Sequence, residues 1–192
     1  MAQEKAPDEE IAELRREVED LRRRLAIVEH MDHALEEALL MKWPMSRTMK
    51  HILPEALELL HAEAIFVRVL DEGPEIVDFE SPDDADFARL DLDAACEQIR
   101  IQNTWHHHVQ AERTHYFGYR LDDTDMYLGS VVSSAHGPLD EHDRRARAGA
   151  LRAWGEQLDN YMAAIFDARR KHTAMRLLSD ALRVSILDVG ID

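Results

Sequence analysis

Four histidines crowd one short stretch of this chain: His106, His107 and His108 in a run, then His115. A neutral imidazole can ligate a metal, move a proton near pH 7, or orient a polar ligand. The histidines sit among Trp105, Val109, Phe117 and Tyr119, residue types that favour extended backbone. A strand alternates its faces, so Trp105, His107 and Val109 share one side and His106 and His108 the other. A hairpin turning near Glu112 and Arg113 would set His115 opposite Val109 and Phe117 opposite His107. The expected ligand-binding patch is therefore Trp105, His107, His115, Phe117 and Tyr119, an aromatic wall whose imidazoles orient a small molecule. The same alternation has a second reading, in which this face is core and its histidines are hydrogen-bonded or half-exposed. No metal is expected. His106 and His108 share a face, but nothing nearby supplies the remaining ligands of a closed site.

Other residue types that do chemistry are isolated. Cys96 is the one cysteine, so an internal disulfide is excluded, and it reads as a small buried hydrophobe. His172 stands in a basic run, without the acid and proline that follow a kinase phospho-acceptor histidine. There is no G-x-S-x-G, no Gly-rich phosphate loop and no H-E-x-x-H. No catalytic residue is expected, and the chain is not read as an enzyme. Nothing in the residues names a cofactor.

The elements that must position the histidines follow from periodicity. Residues 64–70 read as a central strand, apolar on both faces apart from Arg68. Residues 75–80 read as its hairpin partner, after a turn at 71–74. Ser81, Pro82, Asp83 and Asp84 read as a helix start, with helix continuing to about Gln102 and a break near 91–93. Strands are expected at 105–112, 114–121 and 126–135, with the second hairpin turning at 122–125. His136, Gly137 and Pro138 break the last strand. A long helix then starts, with Asp140 as N-cap. Its stripe of Leu151, Trp154, Leu158, Tyr161 or Met162, and Ile165 has the three-and-four spacing of one buried side. Upstream, a helix over residues 46–60 buries Met49, Ile52, Leu53, Leu57 and Leu60, with Pro54 expected to kink it or open a new first turn.

The N-terminal helix, from Asp8 to near Trp43 and Pro44, carries the sharpest pattern. Ile11, Val18 and Leu25 fall at heptad a, and Leu14, Leu21 and Val28 at d; Asp32, Leu35 and Leu39 continue the series. β-Branched residues at a with Leu at d favour two parallel strands. The flanks agree, because a parallel dimer would pair Glu10 with Arg15, Glu17 with Arg22, and Arg24 with Glu29. The expected homodimer interface is Ile11, Leu14, Val18, Leu21, Leu25, Val28, Leu35 and Leu39, joined by Trp154, Leu158 and Ile165 of the exit helix. Asp32 at an a position would loosen the coil. Past residue 168 the seam continues with poorer residues, His172, Met175, Ser179, Leu182 and Ile186. This tail is expected to lead to an output domain or to dock on the dimer partner.

Composition narrows the partners. At 192 residues the formal net charge is −16, which disfavours nucleic acid and anionic membrane surfaces. No apolar run is long enough to span a bilayer, and the N-terminus lacks the apolar core of a secretory signal. With a single cysteine, the expected location is the cytoplasm.

Two stretches resemble the GAF domain family, small-molecule-binding regulatory modules of bacterial signalling proteins. SRTMKHILPEALELLHAEAIFVRVLDEG resembles the family's opening helix and first strand. MYLGSVVSSAHGPLDEHDRRARAGALRAWGEQLDNYMAAIFDARR resembles its last core strand, short turn and exit helix. Together they cover roughly residues 46–168. The resemblance implies an α+β fold: a GAF-like antiparallel sheet with helices on both faces, preceded here by a coiled-coil helix and followed by a long exit helix. The implied division is a coiled-coil helix over 1–43, a GAF-like domain over 44–168 and a signalling-helix extension over 169–192. The implied function is a dimeric sensory module that binds a small molecule or partner and relays through parallel helices. The alternative is a ligand-free dimeric scaffold of the same fold. Departures from known subfamilies are clear: Cys96 is followed by Glu97, unlike a bilin-attaching cysteine, and no Asn-Lys-x-Asp signature of cyclic-nucleotide binding is present.

Overall fold

The computed structural model describes residues 7–70, 76–83, 87, 90–121 and 128–188. The expected turns at 71–74 and 122–125 lie outside the described residues. The element order is α1 (Pro7–Leu40), α2 (Met45–Leu60), β1 (Ala64–Leu70), β2 (Ile76–Ser81), α3 (Leu92–Gln102), β3 (Thr104–Val109), β4 (Thr114–Leu121), β5 (Leu128–His136) and α4 (Glu141–Asp188). The strands form one antiparallel sheet in the order β2-β1-β5-β4-β3. Helices cover both faces: α1, α2 and α4 on one, α3 on the other. This is the α+β, GAF-like arrangement that the resemblance implies.

Local chemistry sets several boundaries. Asp140 caps α4 reciprocally with Asp143: Asp143 N–H donates to Asp140 Oδ1 at 2.8 Å, and Asp140 N–H to Asp143 Oδ2 at 3.2 Å. Asp91 caps α3 by accepting from the Ala94 N–H at 3.0 Å. The helix start expected at Ser81 is corrected. Ser81 is the last residue of β2, paired with Ile65, and the ladder carries through it. The helix begins at Leu92, after the Asp91 cap. Pro54 lies inside an unbroken α2, so it opens no separate helix.

The main core lies between the sheet and α1, α2 and α4. Ile65, Val67, Phe117, Leu121, Val131 and Ala135 project from the strands into it. Trp154, at 0 % exposure, and Leu158 meet them from α4, and Ile27, Met31, Ala34 and Ala38 from α1. Thr48 and Tyr161 satisfy one another inside it at 2.6 Å. Residues of the N-terminal helix from Ile27 on are thus part of the same core as the sheet.

α1 and α4 lie side by side and point the same way. Asp20 approaches His142 at 3.4 Å, Arg24 packs on Gly149, and residues 32–39 line a groove with residues 157–161. Both series rise together, which only a parallel pair does. The first turns of α1 therefore project past one end of the sheet, and α4 past the other.

α1 carries two apolar faces. At 3.6 residues per turn, Leu25 and Ile27 point about 200° apart. Ile27, Met31, Ala34 and Ala38 look inward, while Ile11, Leu14, Val18, Leu21 and Leu25 remain outside, from 46 % exposed at Val18 to 62 % at Leu21. A heptad stripe on a straight helix drifts about 20° per repeat. Along the d positions the drift runs toward the core: Leu21 is exposed, Val28 half-buried and Leu35 buried. Three expected interface residues are corrected on this ground. Leu35, Trp154 and Leu158 are buried within their own chain and leave no surface for a second one. Leu39 is exposed and Ile165 half-buried.

Truncating a residue of this core has a defined signature. Leu158→Ala should cost about 2–5 kcal/mol, from lost burial plus the cavity left behind. Thermal melts at two protein concentrations should show the same drop in Tm, because the lost contacts lie within one protomer.

Candidate functional site

Strand parity builds two unlike sites on the two sides of the sheet. β3 and β4 pair with His106 opposite Phe117, His107 opposite Tyr116 and His108 opposite His115. The connecting turn is a 3-10 turn over Gln110–Glu112, closed by Arg113 in the left-handed region at φ 56°. This register differs by one residue from the expected pairing, and a shift of one exchanges the faces. The expected single patch is therefore corrected. Trp105 and His107 face α3. His115, Phe117 and Tyr119 face the main core and α4, together with His106 and His108.

On the α3 side, Phe66, Phe87, Ile99, Tyr116 and Val132 form a second, smaller buried cluster, with Trp105 and Cys96 packed at its margin. His107 stacks on Trp105, ring centroids 5.5 Å apart and 9° from parallel. Ile99 occupies the space that a Cβ on Gly118 would need, so α3 rests directly on the strand. Tyr116 and Gly118 belong to this face and escaped the sequence reading. The alternation through β4 would have revealed them, given the right register.

Beside the cluster lies a polar corner. Arg68 of β1 makes a bidentate pair with Asp78 of β2, Nε–Oδ1 and Nη2–Oδ2 both 2.8 Å, and its Nη1 reaches Asp93 Oδ1 of α3 at 2.5 Å. The Asp78 hydrogen bonds push the Arg68 pKa up and hold the guanidinium charged. Asp93, its side chain 87 % exposed, is the one tie in this network between α3 and the sheet that water can compete for. Burial pushes the Cys96 thiol pKa up, against the opposing pull of Arg68 and a hydrogen bond with Ser130. Arg68, Asp93, Cys96, Arg100, Gly129 and Ser130 are among the residues lining a cavity of about 170 Å³. That space takes a few water molecules or a small polar group.

On the opposite side, His106, His108 and His115 form a stack. His108 and His115 lie 4.0 Å apart between ring centroids at 13°, and His106 and Phe117 4.9 Å apart at 28°. His106 Nε2 and His115 Nδ1 are 3.1 Å apart, a ring-to-ring hydrogen bond. His115 is 3 % exposed. Burial, with Arg144 and His108 next, pushes the His106 pKa down; burial, then His108 and His106, does the same at His115. Tyr119 packs on Gly155 of α4. Among the described residues, no group of three or more His, Cys, Asp or Glu side chains is placed to hold a metal ion. No described helix is long and apolar enough to cross a membrane.

No protein-family model matches the chain, and no curated protein matches its sequence. A solved structure does share its fold. An N-acylhomoserine-lactone-dependent LuxR-family transcription factor from Burkholderia cenocepacia is similar with a TM-score of 0.53 at 12 % identity, over 72 % of this chain and 95 % of that one. The GAF domain of a protein described as a sensor histidine kinase from Pseudomonas syringae pv. tomato has a TM-score of 0.49 at 10 % identity, over 82 % of this chain and 99 % of that one. Sheet order and helix placement together define the class: this is an α+β chain with a five-stranded antiparallel sheet covered by helices on both faces.

The environment of Cys96 gives a direct check on the α3 face. With the thiol pKa raised by burial, alkylation of Cys96 at pH 8 should run slower than that of free cysteine under the same conditions. A rate equal to or above that of the free amino acid would mean that α3 does not rest on the sheet as described.

Proposed function

We propose that this chain is a sensory module that works as a parallel homodimer. It binds a small molecule between α3 and the sheet and relays the change through α1 and α4 to an output domain or partner. The observation that carries this reading is the helix arrangement. α1 and α4 run parallel across the sheet and leave it at opposite ends, and α1 turns an unpartnered apolar heptad stripe outward. The occupant that fits the stripe is a second copy. Glu17 and Arg22, both exposed, stand at the g and e positions that meet across a parallel pair. Arg24 is engaged against Gly149 of its own chain, so the Arg24–Glu29 pair drops out of the interface. The groove of about 340 Å³ between residues 32–39 and 157–161 continues the same face and would seat the partner helix.

The ligand site in this reading is the α3 face, with Trp105 and His107 at its aromatic margin and Arg68, Cys96 and Ser130 at its polar end. His115, Phe117 and Tyr119 are outside it. The likeness to a lactone-dependent transcription factor concerns the fold, and it supports a binding module only in that general sense. The proposal includes no catalytic role and sets the module in the cytoplasm, consistent with the single cysteine. One observation favours a second reading, the ligand-free scaffold: the cluster of Phe66, Phe87, Ile99, Tyr116 and Val132 is packed without room for more than a small group beside it.

Three measurements test these readings. Mass spectrometry of small molecules released from the purified protein should find a stoichiometric compound; its absence after expression in several hosts favours the scaffold. Light scattering should give a dimer for the whole chain, and Leu21→Glu should weaken it by roughly tenfold or more in Kd, the worth of one apolar side chain. A monomeric wild-type chain sinks the dimer. Asp32, exposed along the α1–α4 groove, provides the third: Asp32→Leu should raise Tm at fixed protein concentration through roughly 1 kcal/mol of added apolar burial.

A further inference from the structure

Away from the α3 face, a second cavity, of about 440 Å³, opens between α2 and β2. β2 is an edge strand, and among the described strands it pairs with β1 alone. Asp78, Phe79, Glu80 and Ser81 all line the cavity, although successive strand residues point to opposite faces. A cavity bordered by four residues in a row runs along the strand's free edge. Its other wall is one side of α2, at Met49, Lys50, Leu53 and Pro54.

The lining divides by chemistry. Met49, at 0 % exposure, and Leu53 form an apolar floor with Pro54 and the half-buried Phe79. At the rim stand Lys50, Glu80 and Asp83, all exposed. These three carry opposite charges around one cavity, yet among the described residues none of them is in an ion pair. Asp78 differs, because Arg68 holds both of its oxygens at 2.8 Å. The uncommitted charges are thus one cation and two anions, with the cavity between them. α2 adds a neutral acceptor. Pro54 has no N–H, so the Lys50 carbonyl lacks its usual helical donor. Residues 50 and 54 stand one turn apart on the same helix face, and both line the cavity. Ser81, buried on the β2 side, brings a hydroxyl.

We propose that this cavity binds a zwitterionic α-amino acid with a bulky apolar side chain. The side chain enters between Leu53 and Phe79. The ligand carboxylate meets the Lys50 ammonium, and the ligand ammonium meets Glu80, Asp83 and the Lys50 carbonyl. An apolar floor alone would accept any hydrocarbon of the right size, so the rim sets the selectivity. A ligand without its ammonium brings a carboxylate towards Glu80 and Asp83 with only Lys50 to offset it. A ligand without its carboxylate leaves Lys50 facing a second cation. The volume falls within the range of about 300–1,000 Å³ usual for small-molecule sites. The site stands apart from the α3 face, and neither depends on the other being occupied.

Methyl spectra of the full chain, labelled with ¹³C-methyl methionine, test this through Met49, its signal assigned by its loss in Met49→Leu. L-Phenylalanine should shift that signal saturably, with a Kd of roughly 1–10 mM, the affinity ordinary for so small a ligand. 3-Phenylpropanoate lacks the ammonium and 2-phenylethylamine lacks the carboxylate. Each should bind more weakly than L-phenylalanine by roughly two- to fivefold, the worth of one exposed ion pair. Glycine, with no apolar side chain, should leave the signal in place. Glu80→Gln combined with Asp83→Asn should narrow the preference over 3-phenylpropanoate, and Lys50→Met the preference over 2-phenylethylamine. All three positions are exposed, so these variants should keep the fold. No saturable shift at Met49, either analogue binding as tightly as L-phenylalanine, glycine shifting the signal equally, or both preferences unchanged in the variants would each overturn the site.

Discussion

A helix with apolar residues on opposite sides cannot bury both against one sheet, and α1 is such a helix. Its inner side, Ile27, Met31, Ala34 and Ala38, closes the main core beside Trp154 and Leu158. Fixing that side also fixes the direction in which Leu14, Leu21 and Leu25 point, which is away from the domain. Each carries apolar surface worth about 1.5–3 kcal/mol when fully buried.

The fold was legible wherever one periodicity ruled. β1 is apolar on both faces because it is central, and its bounds follow from that run. The α4 stripe and the Asp140 cap are as the residues imply. Legibility failed where a local alternative competed. Ser81 with Pro82 has the composition of a helix start, but strand pairing to Ile65 claims Ser81 first. In α1 the heptad was legible as far as Leu25, and Leu35 fits the same repeat. A straight helix drifts relative to seven residues, however, and by Leu35 the stripe has turned into the core. Composition alone does not say whether a long helix supercoils, straightens or lies on its own domain.

The site was half legible for a related reason. The alternation within β3 put Trp105 and His107 on one face, as found. Relating that face to β4 needed the hairpin register, and the register hangs on the 3-10 turn and the left-handed Arg113. Arg113 is neither Gly nor Asn, so its residue type does not announce a positive φ. One residue of register turned a single expected wall into two sites of different character: an aromatic and ionic face under α3, and an imidazole stack under α4. The Arg68 network was hidden differently. Arg68 looked like a lone polar residue in a central strand, and the partners that justify it, Asp78 and Asp93, are brought up by β2 and α3.

The way α4 is held bears on what either site can do at a distance. Up to Phe166 the helix is clamped, with Ala150, Leu151, Trp154, Leu158, Tyr161 and Met162 all buried. From Asp167 to Ser179 its residues are exposed, so no described part of the domain supports it there. A close-packed clamp does not yield by small degrees; it keeps its packing or exchanges it for another. In the proposed relay, a change at the sheet would reach α4 as a small rigid tilt or rotation of the clamped part. The 22 residues after Phe166, to the end of α4 at Asp188, would then act as a lever of about 33 Å at 1.5 Å per residue. A tilt of about 5° at the clamp would move the far end by about 3 Å over that length. Shifts of that size re-register helix seams, so in that relay a site too small to reorganise the sheet would still move the end of the helix.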